Sequence, residues 1–576
     1  MDYKETYQAW LDAKGLDPAL RAELLSIADD PGQQEERFYT ELAFGTAGLR
    51  GVLGAGTNRM NVHVVRRATQ GLADYLNTFP DARERGVAIA YDSRHMSDAF
   101  ARESALVLAQ NGIPVYLYDT LHSVPQLSFT ILHLHCKAGI VITASHNPPA
   151  YNGYKVYWEH GGQAGPEQAK EILQYIQKVD YFSVQPMEQQ AALSAGLLKM
   201  IGKEVDEAYY ASIKTLLLHP ELVKEKGKEL KLVYTPLHGS GCVPVREILK
   251  RIGIVNVSIV AEQEKPDGDF PTVKAPNPED PAAFSLAIPL ADQVGADAIL
   301  ATDPDSDRLG AAVRRRDGGF SVLTGNQIGS LLIHYILSTK AAQGTLPANG
   351  LVVKSLVSTR MADAICAHYG VEIRDVLTGF RFISEQIAQC EATGQRQFLF
   401  GFEESFGFLA GTFARDKDAI CAAMLLSEAC VAYREENKTL YDVLQEMYKT
   451  YGYFKESVKS YTLEGKAGLE KIAAAMASLR QSPPKEFAQA AIVAYEDFKT
   501  RERRTAAGAV EPITLPQSDV LRYFLDNGAW LCIRPSGTEP KLKLYIGANA
   551  PEEAQVDDLL ARLMAAADEM LQGLLA

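Results

Sequence analysis

The sequence predicts an α/β protein of several domains, built on mixed, mainly parallel sheets. Three observations point there. The chain has 576 residues, too many for one hydrophobic core. Short continuous apolar runs alternate with helix-like segments, which is the grammar of a parallel sheet covered on both faces. That grammar recurs three times, and each time it ends in a polar loop.

The first unit opens with the β-rich run 87–91. A helical segment follows, with Ser97 as the N-cap candidate and Gly112 as its stop. Residues 115–118 and 139–142 supply further strands. The second unit has strands at 232–234, 257–260 and 298–300, and the third at 351–353, 371–373 and 398–400. Near Tyr451 the spacing breaks. A Lys/Ala-rich helical stretch, two late strands at 530–533 and 542–546, and a closing helix then describe a smaller α+β domain. Val556, Leu559, Leu560, Leu563, Ala567, Met570 and Leu574 fall on one face of that helix. The expected domains are 1–205, 206–320, 321–450 and 451–576.

Composition narrows the function. Hydrophobic residues make up 47 % and charged residues 23 %, as in folded proteins, so general disorder is excluded. Fifty-eight basic residues against 72 acidic ones leave a net charge of −14. So acidic a chain is a poor ligand for nucleic acid or an anionic membrane. No apolar stretch approaches 18 residues, so no membrane span is expected. The seven cysteines include no C-x-x-C pair, and the N-terminus lacks a signal peptide's pattern. Free thiols in a reducing, cytoplasmic setting are the expectation. Neither coiled-coil heptads nor an evident interface segment fixes an oligomeric state.

The polar loops carry the chemistry. Open α/β sheets bind ligands at the carboxyl ends of their strands. After the strand at 298–300 come Asp303, Asp305 and Asp307. Alternate residues of an extended loop share a side, so three carboxylates can converge on one hard cation such as Mg²⁺. A calcium EF-hand loop fails here, because Arg308 and Arg314 stand where Gly and Glu are required. After the strand at 139–142, Thr143-Ala144-Ser145-His146-Asn147-Pro148-Pro149 sets Ser145 on a stiff turn. It is either an exposed nucleophile or a turn serine bonding its own backbone. The G-x-S-x-G elbow is absent, since Thr143 and Asn147 hold its glycine positions. Glu403-Glu404-Ser405 follows the third unit's last strand. It suits sugar hydroxyls or a helix cap.

In the last domain, Arg534-Pro535-Ser536-Gly537-Thr538 offers a guanidinium fork, two hydroxyls and a glycine, the parts of a phosphate cradle. Phe44-Gly45-Thr46-Ala47-Gly48-Leu49-Arg50-Gly51 is glycine-rich but matches neither the dinucleotide fingerprint nor the P-loop. Arg50 reads there as a cleft cation or, more simply, a surface charge. His133, His135 and Cys136 lack a second ligand pair for zinc, which leaves packing as their role.

These four loops, in this order and nearly spanning the chain, resemble the signature loops of the α-D-phosphohexomutase superfamily. Gly45–Gly51 and Asn58-Arg59-Met60-Asn61 are most similar to its phosphoglucomutase/phosphopentomutase branch. The resemblance implies four domains around a central cleft, three similar α/β domains plus a smaller α+β domain. It implies that Ser145 is carried as phosphoserine, with Mg²⁺ held by Asp303, Asp305, Asp307 and Ser145. Arg50, Lys155 and His146 become candidates for proton transfer or charge stabilisation. Glu403, Ser405, Arg308, Thr378, Gly379, Arg381 and Lys417 become candidates for holding the sugar, and Arg534, Ser536, Gly537 and Thr538 for the non-reacting phosphate.

The implied reaction interconverts glucose 1-phosphate and glucose 6-phosphate through glucose 1,6-bisphosphate. Departures are visible. Ala47 replaces a frequent serine, Phe402 interrupts a tighter Gly-Glu-Glu-Ser run, and Arg381 replaces lysine. Phe406-Gly407-Phe408 stands where mannose-active relatives have Gly-His. Pentose phosphates (ribose or deoxyribose 1-phosphate to 5-phosphate) and mannose phosphates are the alternative substrates. Outside this chemistry, the rivals are a metal-dependent phosphatase and a non-catalytic sugar-phosphate binder. Ser145, the three aspartates and Lys155 together argue against the binder.

Overall fold

The computed structural model describes residues 2–45, 48–463, 465–536 and 541–576. The chain divides into two compact units: Met1–Ile328 with Ile383–Tyr441, and Gly329–Phe382 with Asp442–Ala576.

In the first unit, six strands form a sheet in the order β1-β5-β4-β2-β3-β6. They are β1 (Leu49–Val52), β2 (Val87–Tyr91), β3 (Val115–Tyr118), β4 (Ala138–Ile142), β5 (Tyr151–Trp158) and β6 (Leu198–Ile201). Strands β2, β3, β4 and β6 run parallel, while β5 and β1 add antiparallel to one side. β2 and β4 are apolar along their length because helices pack against them, including Ser97–Gln110 and Val124–His133. Ser97 is the first helical residue, not the cap. Met96 takes that place with φ 67°, and the Ser97 hydroxyl donates to Asp92 Oδ1 at 2.8 Å. Gly112 lies just past the C-cap Asn111 with φ 73°, where a stop was expected.

The second sheet repeats the plan. Its order is β11-β10-β9-β7-β8, from β7 (Lys231–Thr235), β8 (Asn256–Ile259), β9 (Ala298–Thr302), β10 (Leu309–Arg314) and β11 (Phe320–Val322). β7, β8 and β9 are parallel, and β10 and β11 return antiparallel. The third strand set is divided. β12 (Gly350–Ser355) and β13 (Glu372–Val376) pair in parallel in the second unit, while β14 (Gln397–Glu403) and β15 (Gly407–Ala410) form a hairpin in the first.

All three chemically loaded loops therefore join a strand to an antiparallel partner: β4 to β5, β9 to β10, β14 to β15. Those return strands did not show as separate periods in the sequence. Each loop also holds one non-glycine residue at positive φ: Ser145 at 51°, Ser306 at 54° and Phe406 at 64°.

The second unit also holds an antiparallel sheet with helices Gly465–Gln481 and Glu553–Leu575 packed together. The two late strands are there, as Trp530–Pro535 and Lys541–Ala550. Tyr453–Thr462, which the sequence reading left unassigned, pairs with Lys541–Ala550 along ten residues. Leu521, Tyr523, Leu531, Ile533, Leu544 and Ile546 form the core together with Leu563, Ala567 and Leu571 from the closing helix.

Candidate active site

Ser145 sits at the carboxyl end of β4, three residues past Ile142 and almost fully buried. Its Oγ donates to Asp303 Oδ2 at 2.7 Å and lies 3.1 Å from His146 Nδ1. Its backbone N–H donates to Thr143 Oγ1 at 2.8 Å, and that hydroxyl donates to Asp305 Oδ2 at 3.2 Å. The serine turn and the aspartate loop are thus joined at two points.

Asp303, Asp305 and Asp307 are all buried, and each offers an oxygen within 4.8 Å of the others. Oδ1 of Asp303 accepts the backbone N–H of Asp307 (3.1 Å) and of Arg308 (3.0 Å), which closes the loop on itself. Two lysines border the cluster. Lys155, paired in register with Val141, reaches Asp305 Oδ2 at 3.0 Å. Lys417 reaches Asp307 Oδ2 at 3.0 Å and Asp416 Oδ1 at 3.0 Å. Asp416 is fixed in turn by the Tyr157 hydroxyl (2.6 Å) and Gln163 (3.0 Å).

Burial and the neighbouring carboxylates push Asp303 well above the ordinary range. Asp307 is raised by burial and by Asp305. Burial opposes ionisation of Asp305 as well, but the Lys155 ammonium, the Asp303 carboxyl and Lys417 outweigh it and hold its pKa low. Three carboxylates in so dry a site need additional positive charge to ionise together. Asp305 Oδ1 and Asp307 Oδ1 are buried with no hydrogen-bond partner among the described residues. Three buried carboxylates with oxygens this close, two of them without a hydrogen bond, offer hard donors that fit a divalent cation.

The remaining predicted residues fall in distinct places. His146 is kept neutral, its pKa lowered by burial and by the positive charges of Arg308 and Arg50. Arg50 is exposed on β1, and its guanidinium donates to Asn147 Oδ1 at 3.3 Å. Gly48 makes that placement possible, since a β-carbon there would stand 1.9 Å from the Tyr154 carbonyl oxygen. Arg308 ion-pairs with Glu279 and donates to the Ser405 carbonyl oxygen at 3.1 Å, tying the aspartate loop to the Glu403–Ser405 turn. Glu403 ends β14 and is buried, while Ser405 is half-buried. Phe402 points into the core and stacks with Phe400.

In the second unit, Arg534 donates to the Thr378 hydroxyl. Gly379 has φ 118°, and the Arg381 guanidinium lies 4.6 Å from the Phe382 ring centre. The Ser536 N–H donates to the Lys541 carbonyl at 2.7 Å. Gly537 and Thr538, like Thr46 and Ala47, lie outside the described residues.

Sequence reading passed over several members of the site: Asp92, Arg94, Thr143, Glu279, Tyr157 and Asp416. A signal existed for two of them. Asp92-Ser93-Arg94 follows an apolar strand directly, as the recognised loops do.

A serine hydroxyl set on a carboxylate cluster that fits a cation, flanked by buried lysines, has the parts that phosphoryl transfer needs. Known proteins specify which kind. The models for phosphoglucomutase/phosphomannomutase α/β/α domains I, II and III match residues 41–182, 207–318 and 324–451, and the C-terminal domain model matches 467–566. The phosphoglucomutase of Staphylococcus saprophyticus is 39 % identical over 515 residues, covering 89 % of this chain and 91 % of its own. That of Staphylococcus aureus strain MRSA252 is 37 % identical, covering 92 % and 94 %.

Among solved structures, parafusin, the Paramecium exocytosis-sensitive phosphoprotein and phosphoglucomutase in its open form, shares the fold with a TM-score of 0.66 at 18 % identity, covering 92 % of this chain and 96 % of its own. A phosphoglucomutase/phosphomannomutase family protein from Burkholderia thailandensis gives 0.64 at 19 %, covering 92 % and 97 %. The chain belongs to the phosphoglucomutase/phosphomannomutase family and has its four-domain α/β architecture. It is an isomerase, an intramolecular phosphotransferase acting on a sugar phosphate, and these relatives support the phosphoglucomutase activity expected from its sequence. No helix among the described residues is long and apolar enough to cross a membrane.

Proposed function

We propose that this enzyme interconverts α-glucose 1-phosphate and glucose 6-phosphate through a phosphoserine at Ser145 and a glucose 1,6-bisphosphate intermediate, in the cytoplasm. The observation that carries the reading is the 2.7 Å hydrogen bond from Ser145 Oγ to Asp303, inside the carboxylate triad.

In the proposed cycle, the phosphoryl group on Ser145 passes to the free C6 or C1 hydroxyl of the bound monophosphate. The O–P bond to Ser145 breaks as the bond to the sugar oxygen forms, and the hydroxyl proton leaves to a nearby base. The bisphosphate turns over and returns its other phosphoryl group to Ser145 Oγ, so nothing is consumed. Mg²⁺ on Asp303, Asp305 and Asp307, with Ser145 beside it, would supply Lewis-acid neutralisation of phosphoryl charge.

The chain's own residues do the rest. His146, neutral and 3.1 Å from Oγ, is placed to take or return the proton. Arg50 and Lys155 supply fixed positive charge, since a guanidinium is a poor base. Glu403 and Ser405 hold sugar hydroxyls. In the first unit Arg308 and Lys417 are substrate-holding cations, with Lys417 acting from its fixed position between Asp307 and Asp416; in the second, Thr378, Gly379 and Arg381 are assigned to the substrate by the family resemblance. Arg534, Ser536, Gly537 and Thr538 hold the phosphate that is not reacting. A loop that accepts either the C1 or the C6 phosphate lets the sugar react in both orientations.

The test is kcat/KM on glucose 1-phosphate against ribose 1-phosphate, with Mg²⁺ and a trace of glucose 1,6-bisphosphate. A strong glucose preference supports the reading. A ribose preference reassigns the substrate to pentose phosphates, and release of free phosphate in place of isomer points to a phosphatase.

A further inference from the structure

We infer that Arg94 is a positioning residue for phosphoryl transfer, fixing the Ser145 turn by its backbone oxygens; the inference rests on the reading of Ser145 as the residue that carries the phosphoryl group. Ser145 has φ 51°, in the left-handed region that residues with a β-carbon enter at a cost. Surrounding structure must hold it there. The turn that follows has few ladder bonds of its own. Asn147 donates to the Ala144 carbonyl and Tyr151 to the Pro148 carbonyl, each at 3.1 Å.

Its outward-facing carbonyls converge on one side chain. Arg94 Nη1 donates to Pro148 O at 2.9 Å and Tyr151 O at 3.0 Å, while Nη2 donates to Ser145 O and Asn147 O. A single guanidinium thus spans the turn from the reacting serine to the first residue of β5.

Arg94 is itself held by Asp92 and Phe270. Its side chain is fully buried. Asp92 Oδ2 lies 3.5 Å from Nε, and the Phe270 ring centre lies 5.0 Å from the guanidinium carbon. Asp92 Oδ1 is anchored by the backbone N–H of Arg94 (3.0 Å) and the hydroxyl of Ser97 (2.8 Å), at the start of its helix. Both Nη donors point at carbonyls, so Arg94 has no fork left for a phosphate. It acts through Ser145 and does not touch the substrate. Lysine cannot reproduce a planar fork that serves four acceptors.

The experiment uses full-length enzyme with glucose 1-phosphate, Mg²⁺ and glucose 1,6-bisphosphate, comparing wild type with Arg94→Lys and Asp92→Asn. Arg94→Lys should lower kcat by roughly 100-fold, the scale of an ångström's misplacement of a reacting group. KM should stay within about threefold, since the substrate contacts are intact. Amide exchange should accelerate at residues 145–151 and stay unchanged over the second sheet. Asp92→Asn keeps the oxygen that accepts from Arg94 and Ser97 but removes the charge beside Nε. It should give the same pattern at roughly tenfold, in the manner of a lost supporting interaction.

Wild-type kcat in Arg94→Lys, or unchanged exchange at 145–151, overturns the inference. If Arg94→Lys does not fold, Asp92→Asn decides alone: lost kcat with local exchange upholds it, and wild-type kcat overturns it. Ser145→Ala runs alongside. Turnover surviving there would refute the role of Ser145 itself, which separates that failure from a failure of Arg94.

Discussion

Ser145 Oγ and Asp303 Oδ2 lie 2.7 Å apart although 158 residues separate them in the chain. One belongs to the turn between β4 and β5, the other to the loop between β9 and β10. Two sheets of the same plan thus present their strand ends to each other, and the Ser145 hydroxyl lies where they meet. Ser145→Ala should abolish turnover and leave glucose 1-phosphate binding by calorimetry near wild type. The hydroxyl is the phosphoryl carrier in this account and contributes little to ground-state affinity.

Asp305 carries the cluster's most stabilised negative charge, held by Lys155. Asp305→Asn should reduce kcat by at least about 100-fold, the scale of losing one preorganised electrostatic group in a dry site. Chelation with EDTA should silence the wild-type enzyme, and added Mg²⁺ should restore it. Titration calorimetry with Mg²⁺ should show the variant's loss directly.

Gly325 packs against the Glu403–Ser405 turn. A β-carbon there would come within 2.1 Å of the Glu404 carbonyl oxygen. Gly325→Ala should therefore displace Glu403–Ser405. We expect a loss of about 1–3 kcal/mol in urea unfolding from overpacking. We also expect KM to rise more than kcat falls.

His63 is buried and accepts the Asp17 N–H at 3.2 Å. Burial, together with the nearby Arg66, lowers its pKa to about 4. Between that value and the unfolded value near 6.5, the unfolded chain binds the extra proton. Stability therefore falls as pH drops through this window. His63→Gln, which keeps an acceptor, should flatten that part of the curve. Unfolding midpoints of both proteins from pH 7 to pH 4 check it.

In the second unit, Arg522 donates to Asp375 at 2.6 Å and to Glu496 at 2.8 Å, and Lys354 reaches Asp375 at 2.7 Å. This joins β13 to the strand Leu521–Leu525. A double-mutant cycle of Asp375→Asn and Arg522→Met should return a coupling of roughly 1–3 kcal/mol.

How much of this the sequence announced depends on the range of the interaction. Ser145, the aspartate triad and Glu403 were legible because each follows an apolar run directly, so local order placed them at strand ends. The strands β5, β10 and β15 were not, because their residues continue the loops without a change of period. Tyr453–Thr462 is half-buried at first and alternates with exposed residues only in its second half, and only its long-range partner Lys541–Ala550 makes it a strand. Ser97 looked like a cap because capping is a local rule. Its hydroxyl instead serves Asp92, five residues back. Lys417 entered only by resemblance, because the partner that fixes it, Asp307, lies 110 residues earlier in the chain. Arg94 follows an apolar strand as the recognised loops do, but its partners are backbone oxygens, which leave no mark in composition to single it out.

The most direct test of the central claim is to locate the phosphoryl group. The enzyme is incubated with glucose 1,6-bisphosphate, quenched and digested, and its phosphopeptides are sequenced by mass spectrometry. The account predicts a single phosphoryl group per chain, on Ser145, that disappears on a chase with excess glucose 6-phosphate. Phosphate on another residue, or full turnover with Ser145 never phosphorylated, would contradict it.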